Sequence, residues 1–264
     1  MNDDDPGWRV IGEERRPGPV TMALEEVAAE TVAAGGPATV RVFGWPDTLS
    51  LGFAQDPESV DWAFCEREDI DVTRRQTGGG AIYHDRVGDV SYSVVAPADA
   101  VPTDLMACYH ELCEPVLAAF ARLGVDARFA DEPREAVHEP ACYLRDVNPA
   151  HDVVGPDGRK VSGNAQYRRS DAVVQHGSLS YSSRPARHCG CFAGDPAVEA
   201  FRERVGAVDE YVDVDRAAVV EALREELAAW ADADPGAWRE DELARAEAVA
   251  AEKYGADEWV RRTP

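Results

Sequence analysis

The chain has 264 residues, enough to bury a full core, and its 27 basic and 50 acidic residues leave a formal net charge of -23. With that balance and no basic patch, a nucleic-acid partner is not expected. No run of 18 apolar residues suggests a membrane span, and "MNDDDPGW" has neither the basic nor the apolar region of a secretory signal, so the expected compartment is the cytoplasm.

Residues 1–18 read as a flexible N-terminal segment. "TMALEEVAAETVAAGG" (21–36) has the pattern of an amphipathic helix stopped by Gly35 and Gly36. "ATVRVFGW" and "TLSLGFA" alternate as a strand pair around the turn "PD". "VDWAFCERED" predicts a short helix, followed by strands over 70–74, 81–84 and 89–95. In "TDLMACYHELCEPVLAAFARLG" the apolar positions 105, 109, 112, 116, 120 and 123 have helix spacing, with a cap at Thr103 or Asp104, a kink at Pro115 and a stop at Gly124. "DARFA" is a further strand, and "HDVV", "RKVSGNAQYRR" and "AVVQHGSLSYSS" form an antiparallel meander. From about residue 195 the pattern turns helical, most clearly in "RAAVVEALREELAAW" and "EDELARAEAVAAEKYG". Strands grouped under a few covering helices indicate an α+β fold.

Chemistry concentrates in two stretches. In "RRQTGGGAIYHD" (74–85), Arg74 and Arg75 precede Gly78, Gly79 and Gly80, with Ala81 and His84 behind them. Three glycines in succession are entropically expensive, so they mark a place where backbone approaches a ligand or takes φ > 0. The second stretch is "GRKVSGNAQ". Lys160 is one of only two lysines, the other being Lys253, in a chain that otherwise uses arginine. A compact, pivoting ammonium can follow substrate oxygens through a reaction where a planar guanidinium cannot. No G-x-S-x-G, H-E-x-x-H or P-loop motif is present. "HCGC" (188–191) has no second cysteine pair and reads as packing in a loop; Cys108 and Cys113 read as helix core.

"RRQTGGGAIYHDRVGDVSYSVV", "GRKVSGNAQYRR" and "QHGSL", with "MALEEVA", "VRVFGWPDTLSLGFAQ" and the terminal "EKYGADEW", resemble the lipoate-protein ligase and octanoyltransferase family over nearly the whole chain. The resemblance implies an α+β fold with a mixed central β-sheet flanked by helices. It implies a biotin/lipoate ligase-like catalytic domain over 19–195 and a helical C-terminal part, 196–264, packed on it. It places Arg74, Arg75, Gly78, Gly79 and Gly80 at the carboxylate and phosphate end of the site, matches His84 to the motif's histidine, and counts both Ala81 and His84 among the substrate-binding residues. Lys160 would contact the activated acyl group, Ser162, Gly163, Asn164 and Ala165 would form the pocket wall, and residues 38–55 would help cover the acyl tail.

Two chemistries occur in that family. In the ligase reading, ATP and Mg2+ activate lipoate to lipoyl-AMP, and the lipoyl group passes to a lysine of its acceptors. These are the lipoyl domains of 2-oxoacid dehydrogenase E2 subunits and the glycine cleavage H protein, and a small accessory ligase subunit would assist adenylation. The run "TGGGAIYHD" favours this reading, because cysteine-dependent octanoyltransferases of the family usually carry arginine at the third glycine. The alternative is a cysteine-dependent octanoyltransferase or lipoyl amidotransferase that uses an octanoyl donor, with Cys142 of "PACYLRDVNPAHDVV" as acyl-thioester nucleophile.

The acids are dispersed among periodic segments and 45% of residues are hydrophobic, which describes a folded halophilic protein with a solvated acidic skin. At molar salt the Debye length is about 3 Å and at 0.1 M about 10 Å, so surface carboxylates repel one another farther as salt is removed. The melting temperature is expected to fall between those conditions. A melting curve unchanged across that range would contradict the halophilic reading.

Overall fold

The computed structural model describes residues 7–147 and 151–264. Its strands are β1 Trp8–Arg15, β2 Ala38–Gly44, β3 Thr48–Leu51, β4 Asp71–Arg74, β5 Ile82–His84 and β6 Asp89–Pro97. They continue with β7 Arg128–Phe129, β8 Val153–Val154, β9 Lys160–Arg168, β10 Ala172–Ser180 and β11 Asp234–Pro235. The helices are α1 Gly18–Ala33, α2 Trp62–Arg67, α3 Leu105–Arg122, α4 Pro185–Gly190 and α5 Val198–Arg204. After these come α6 Val208–Tyr211, α7 Arg216–Ala231, α8 Glu240–Val249 and α9 Asp257–Val260.

A mixed eight-stranded sheet runs in the order β11-β1-β2-β6-β10-β9-β8-β7, and a three-stranded sheet, β4-β3-β5, lies apart from it. Helices cover the large sheet on both faces. Val40, Val42 and Val94 point to the side of α3 and α7, where they meet Phe120 and Leu223. Phe43, Val95 and Val174 point the other way, onto Leu24 of α1 and Val249 of α8. No helix among the described residues is long and apolar enough to cross a membrane.

The predicted meander is present, with β8, β9 and β10 antiparallel in succession. Helix α3 begins at an Asp104 cap, whose carboxylate accepts from the Ala107 N–H at 2.9 Å, and continues through Pro115. Three expectations are corrected. Residues Trp8–Arg15 are not a flexible segment: β1 lies between β2 and β11 in the sheet. The strands around "PD" do not pair, because both edges of β2 are occupied by β1 and β6, so the chain leaves the large sheet and β3 pairs with β4 and β5. "HCGC" is not a loop but the end of α4 and the turn after it, with Cys189 and Cys191 packed against Phe192 and Phe201.

Arg9 of β1 ties the C-terminal helices to the sheet. Its guanidinium donates to both carboxylate oxygens of Glu242 at 2.8 and 2.7 Å, and the Thr31 hydroxyl and Arg239 N–H add 2.8 and 2.9 Å bonds to the same group. Burial raises the Glu242 carboxyl, but the bonds from Arg9, the Arg239 amide and Thr31 outweigh it and hold the pKa to about 2. With the folded value below the unfolded one, the unfolded chain takes up a proton first on acidification. The stabilisation is therefore complete above the ordinary glutamate pKa and is lost as the pH falls toward 2. Glu242→Ala leaves Arg9 buried and unpaired, with an expected cost of about 3–5 kcal/mol in denaturant unfolding at neutral pH. A loss below about 1 kcal/mol would contradict this role.

Candidate active site

Between the two sheets lies a cavity of about 290 Å³, near the lower end of the roughly 300–1,000 Å³ typical of small-molecule sites. Lys160 opens β9 just after the turn "GPDG", where Gly158 takes a left-handed φ of 81°. That hairpin brings Lys160 back toward Asp152, and Lys160 Nζ lies 2.7 Å from Asp152 Oδ1 with both side chains almost wholly buried. Burial alone would lower the lysine pKa. Asp152, helped by the Cys142 sulfur, outweighs it and raises Lys160 well above the ordinary lysine range. Lys160 is thus a fixed ammonium at neutral pH and not a base.

Cys142 begins a short 3-10 turn, Cys142–Leu144. Its carbonyl accepts from Lys160 Nζ at 3.4 Å, and the ammonium also lies 5.6 Å from the centre of the Tyr143 ring. Gly163 sits beneath both groups: a Cβ built there would be 3.4 Å from Lys160 Nζ and 3.8 Å from Cys142 Sγ. The thiol and the ammonium converge on one spot of the cavity wall.

The glycine run explains how the Cys142 turn is held. Ala81 N–H donates to Pro140 O and Cys142 N–H to Ala81 O, each at 2.7 Å. A Cβ on Gly80 would stand 2.7 Å from Pro140 O and 2.9 Å from Cys142 N. The third glycine, read in the sequence as a ligase feature, is here the residue that lets the cysteine-bearing turn approach. Arg75 is buried and gathers the loop, donating to the carbonyls of Ser50, Gly78 and Gly80 at 2.7–2.8 Å and to the Thr77 hydroxyl at 2.9 Å.

Of the residues singled out in the sequence, Arg75, Gly78, Gly79, Gly80, His84, Cys142, Lys160, Gly163, Asn164 and Ala165 line the cavity. Arg74, Ala81 and Ser162 are outside the lining. Arg74 turns away because its guanidinium is taken up by the carbonyls of Gly52, Phe53, Gln55, Val260 and Arg262, which pins the C-terminus to the small sheet. Ala81 serves through its backbone, and Ser162 is fully buried. His84 is buried, its Nδ1 3.0 Å from Asp89, its Nε2 3.0 Å from Ser50 Oγ and its ring stacked 4.2 Å from Trp45. Those contacts make it a wall element.

The sequence reading missed Asp152 and His176. A buried lysine needs a carboxylate, and the aspartate of "HDVV", across a tight turn from Lys160, was the available signal. His176, in "QHGSL", bridges Glu25 and Thr77 at 2.8 Å on each side and so braces the loop that Arg75 gathers.

Two sheets closing on a cavity, with a glycine loop and a buried lysine in its lining, define a lipoate ligase-like α+β enzyme. The chain belongs to the lipoyl protein ligase A/B catalytic domain family, which it matches over residues 17–228. It is 30% identical to an octanoyltransferase LipM of Exiguobacterium sp. over 96% of this chain and 97% of that one. To the octanoyltransferase LipM of Symbiobacterium thermophilum it is 36% identical over 65% of this chain and 64% of the relative. Among solved structures it is similar to a bi-partite lipoate protein ligase of Thermoplasma acidophilum, studied with its E2 lipoyl domain, with a TM-score of 0.81 and 25% identity over 97% of this chain and 96% of that one.

Gly80→Ala is expected to push the Cys142 turn outward, since beside the Arg145 side chain, which can move, the methyl group would meet the backbone of Pro140 and Cys142, which cannot move without the turn. The expected cost is about 1–3 kcal/mol, together with faster alkylation of Cys142 by iodoacetamide in peptide mass spectrometry. Wild-type stability and labelling rate would refute the close approach.

Proposed function

We propose that the protein is a cysteine-dependent octanoyltransferase, carrying an octanoyl group from a carrier-protein thioester to a lysine of lipoyl domains and of the glycine cleavage H protein. The observation that carries this reading is the convergence of Cys142 and Lys160 over Gly163. The relative from Exiguobacterium sp., matched over nearly its full length and named octanoyltransferase, supports it. The glycine run, which favoured an ATP-dependent ligase in the sequence, loses that force once Gly80 has a packing reason of its own.

In the first step the Cys142 thiolate attacks the carbonyl carbon of the donor thioester. The carbon–sulfur bond to the carrier breaks, and the carrier thiol leaves with the proton that Cys142 gave up. In the second step the acceptor lysine amine attacks the new thioester at Cys142. The amide forms, the amine loses a proton, and the Cys142 thiol is restored. Both steps pass through an oxyanion, and a permanently charged Lys160 beside the carbonyl offsets that charge in a water-poor wall. Asp152 is the positioning residue that keeps Lys160 charged and aimed.

Octanoyl carrier protein without ATP is expected to leave an octanoyl adduct on the Cys142 peptide, seen by mass spectrometry, and to modify the acceptor lysine. Cys142→Ser should lose turnover by about 10³-fold or more, as for removal of a covalent nucleophile. Lys160→Ala should abolish transfer with the fold intact, and Lys160→Arg should not rescue it, because the guanidinium does not fit a site shaped for a point charge. Acceptor modification that requires ATP and free lipoate and survives Cys142→Ser would overturn the proposal in favour of the ligase.

A further inference from the structure

Amide formation in the second step leaves a surplus proton on the attacking nitrogen, and an amine that keeps it is easily expelled again. A base within hydrogen-bond reach of that nitrogen is therefore required. Lys160 does not serve, being a charged ammonium paired with Asp152. Other proton acceptors in the cavity lining are already occupied. His84 spends both ring nitrogens on Ser50 and Asp89, and His176 spends both on Thr77 and Glu25. Asp146 lies 3.7 Å from the Arg145 guanidinium. His151 differs from these. It lines the cavity, and among the described residues its Nδ1 has no hydrogen-bond partner.

His151 is nonetheless firmly placed. Its carbonyl accepts from Asn164 Nδ2 at 2.8 Å, and Asn164 is held in turn by the Tyr92 hydroxyl, which donates to Asn164 Oδ1 at 2.6 Å. The imidazole leans on the ring of Tyr109 in α3, with 5.2 Å between centres. Nδ1 lies 3.7 Å from Asp152 Oδ1, the same oxygen that stands 2.7 Å from Lys160 Nζ. One carboxylate oxygen thus faces both an ammonium and an imidazole. The 3.7 Å separation is longer than a hydrogen bond, and catalytic contacts of this kind commonly tighten only when substrate is bound. The His151 side chain is 30% exposed, against 5% for Lys160 and 2% for Asp152, so His151 stands at the open edge of the cavity, where a lysine of another protein enters.

We propose that His151 is the general base of amide formation, taking a proton at Nε2 from the attacking lysine nitrogen while Nδ1–H turns toward Asp152. The carbon–nitrogen bond forms and the carbon–sulfur bond to Cys142 breaks. His151 passes its proton to water at the cavity edge, and the Cys142 thiolate takes one from water. Asp152 then has two tasks, because the carboxylate that keeps Lys160 charged also offsets the imidazolium. The charged and titratable groups around the ring are Asp152 beside it, Lys160 from β9, Tyr109 from α3, and Arg145 and Asp146 of the same cavity lining. Burial pushes the Tyr109 phenol up to about 12, and although burial pulls Lys160 down, Asp152 outweighs it, so neither group changes charge near neutral pH. The proposal rests on the acyl-transfer reading of the site and adds the residue that accepts the proton.

The test separates the two half-reactions. Octanoyl carrier protein loads Cys142, the octanoyl-enzyme is isolated, and apo lipoyl domain is added, with each step timed by intact-protein mass spectrometry. His151→Gln is expected to load within about twofold of the wild-type rate and to hand the octanoyl group on about 10²-fold more slowly or worse, the usual loss of a general base. Hydroxylamine, a small amine that cleaves a thioester without help from a base, should discharge both loaded proteins equally. Free imidazole should restore lysine transfer in His151→Ala by about tenfold or more. An unslowed second step, or equal slowing of both steps with no rescue, would overturn the assignment. If Cys142 takes no octanoyl group and the acceptor is modified only with ATP and free lipoate, the cysteine chemistry falls, and the base is read with synthetic lipoyl-AMP as donor. Transfer from that donor slowed about tenfold or more in His151→Gln would uphold His151, and transfer at the wild-type rate would overturn it.

Discussion

An ammonium group withdrawn from water needs a carboxylate beside it, and the Lys160–Asp152 pair is the constraint around which the cavity is arranged. The pair closes across the β8–β9 hairpin, so the turn with Gly158 at positive φ is what brings the two charges together. Once formed, it presents the ammonium end of an ion pair in a low-dielectric wall, where a nearby charge is felt far more strongly than in water. The Cys142 sulfur stands within that field, and the rest of the site serves to bring the cysteine there.

That delivery depends on close backbone approach. The small sheet supplies Ala81, whose amide and carbonyl grip the Cys142 turn, and Gly80 removes the side chain that would hold the two segments apart. Gly52 does the same one layer back, since a Cβ there would fall 1.9 Å from Gly79 O. Arg75 then fixes the loop by collecting its carbonyls, and Glu25, through His176 and Thr77, braces that loop from the side of α1. The small sheet, which builds its own core around Leu49, Leu51 and Ile82, thus also acts as a clamp that sets the position of one thiol.

Much of this was legible in the sequence, for physical reasons that can be named. The meander and the long helices follow from periodicity, and Lys160 stood out because the chain has so few lysines. The false hairpin at β2–β3 arose because alternation shows that a segment is extended but not which edge it meets. Arg74 and Arg75 looked equivalent as neighbours, yet successive side chains of extended backbone point to opposite faces, and only one of the pair could reach the cavity. The approach of Cys142 to Lys160 is a long-range contact made by the loop after β7. Nothing in local pattern reports it.

The scarcity of lysine acquires a second meaning beside this chemistry. A protein that holds an acyl group as a thioester and hands it to an amine is exposed to its own amines, which sit nearby at high effective concentration. Here the chain carries only two lysine side chains, and both are committed: Lys160 to Asp152, and Lys253 to Glu26 at 2.7 Å, under the rings of Tyr254 and Trp259. Surface cations elsewhere are arginines, which stay protonated and do not attack a thioester. On the proposed chemistry, a composition rich in acids and arginine also leaves the enzyme with almost no side-chain amine of its own to modify by mistake.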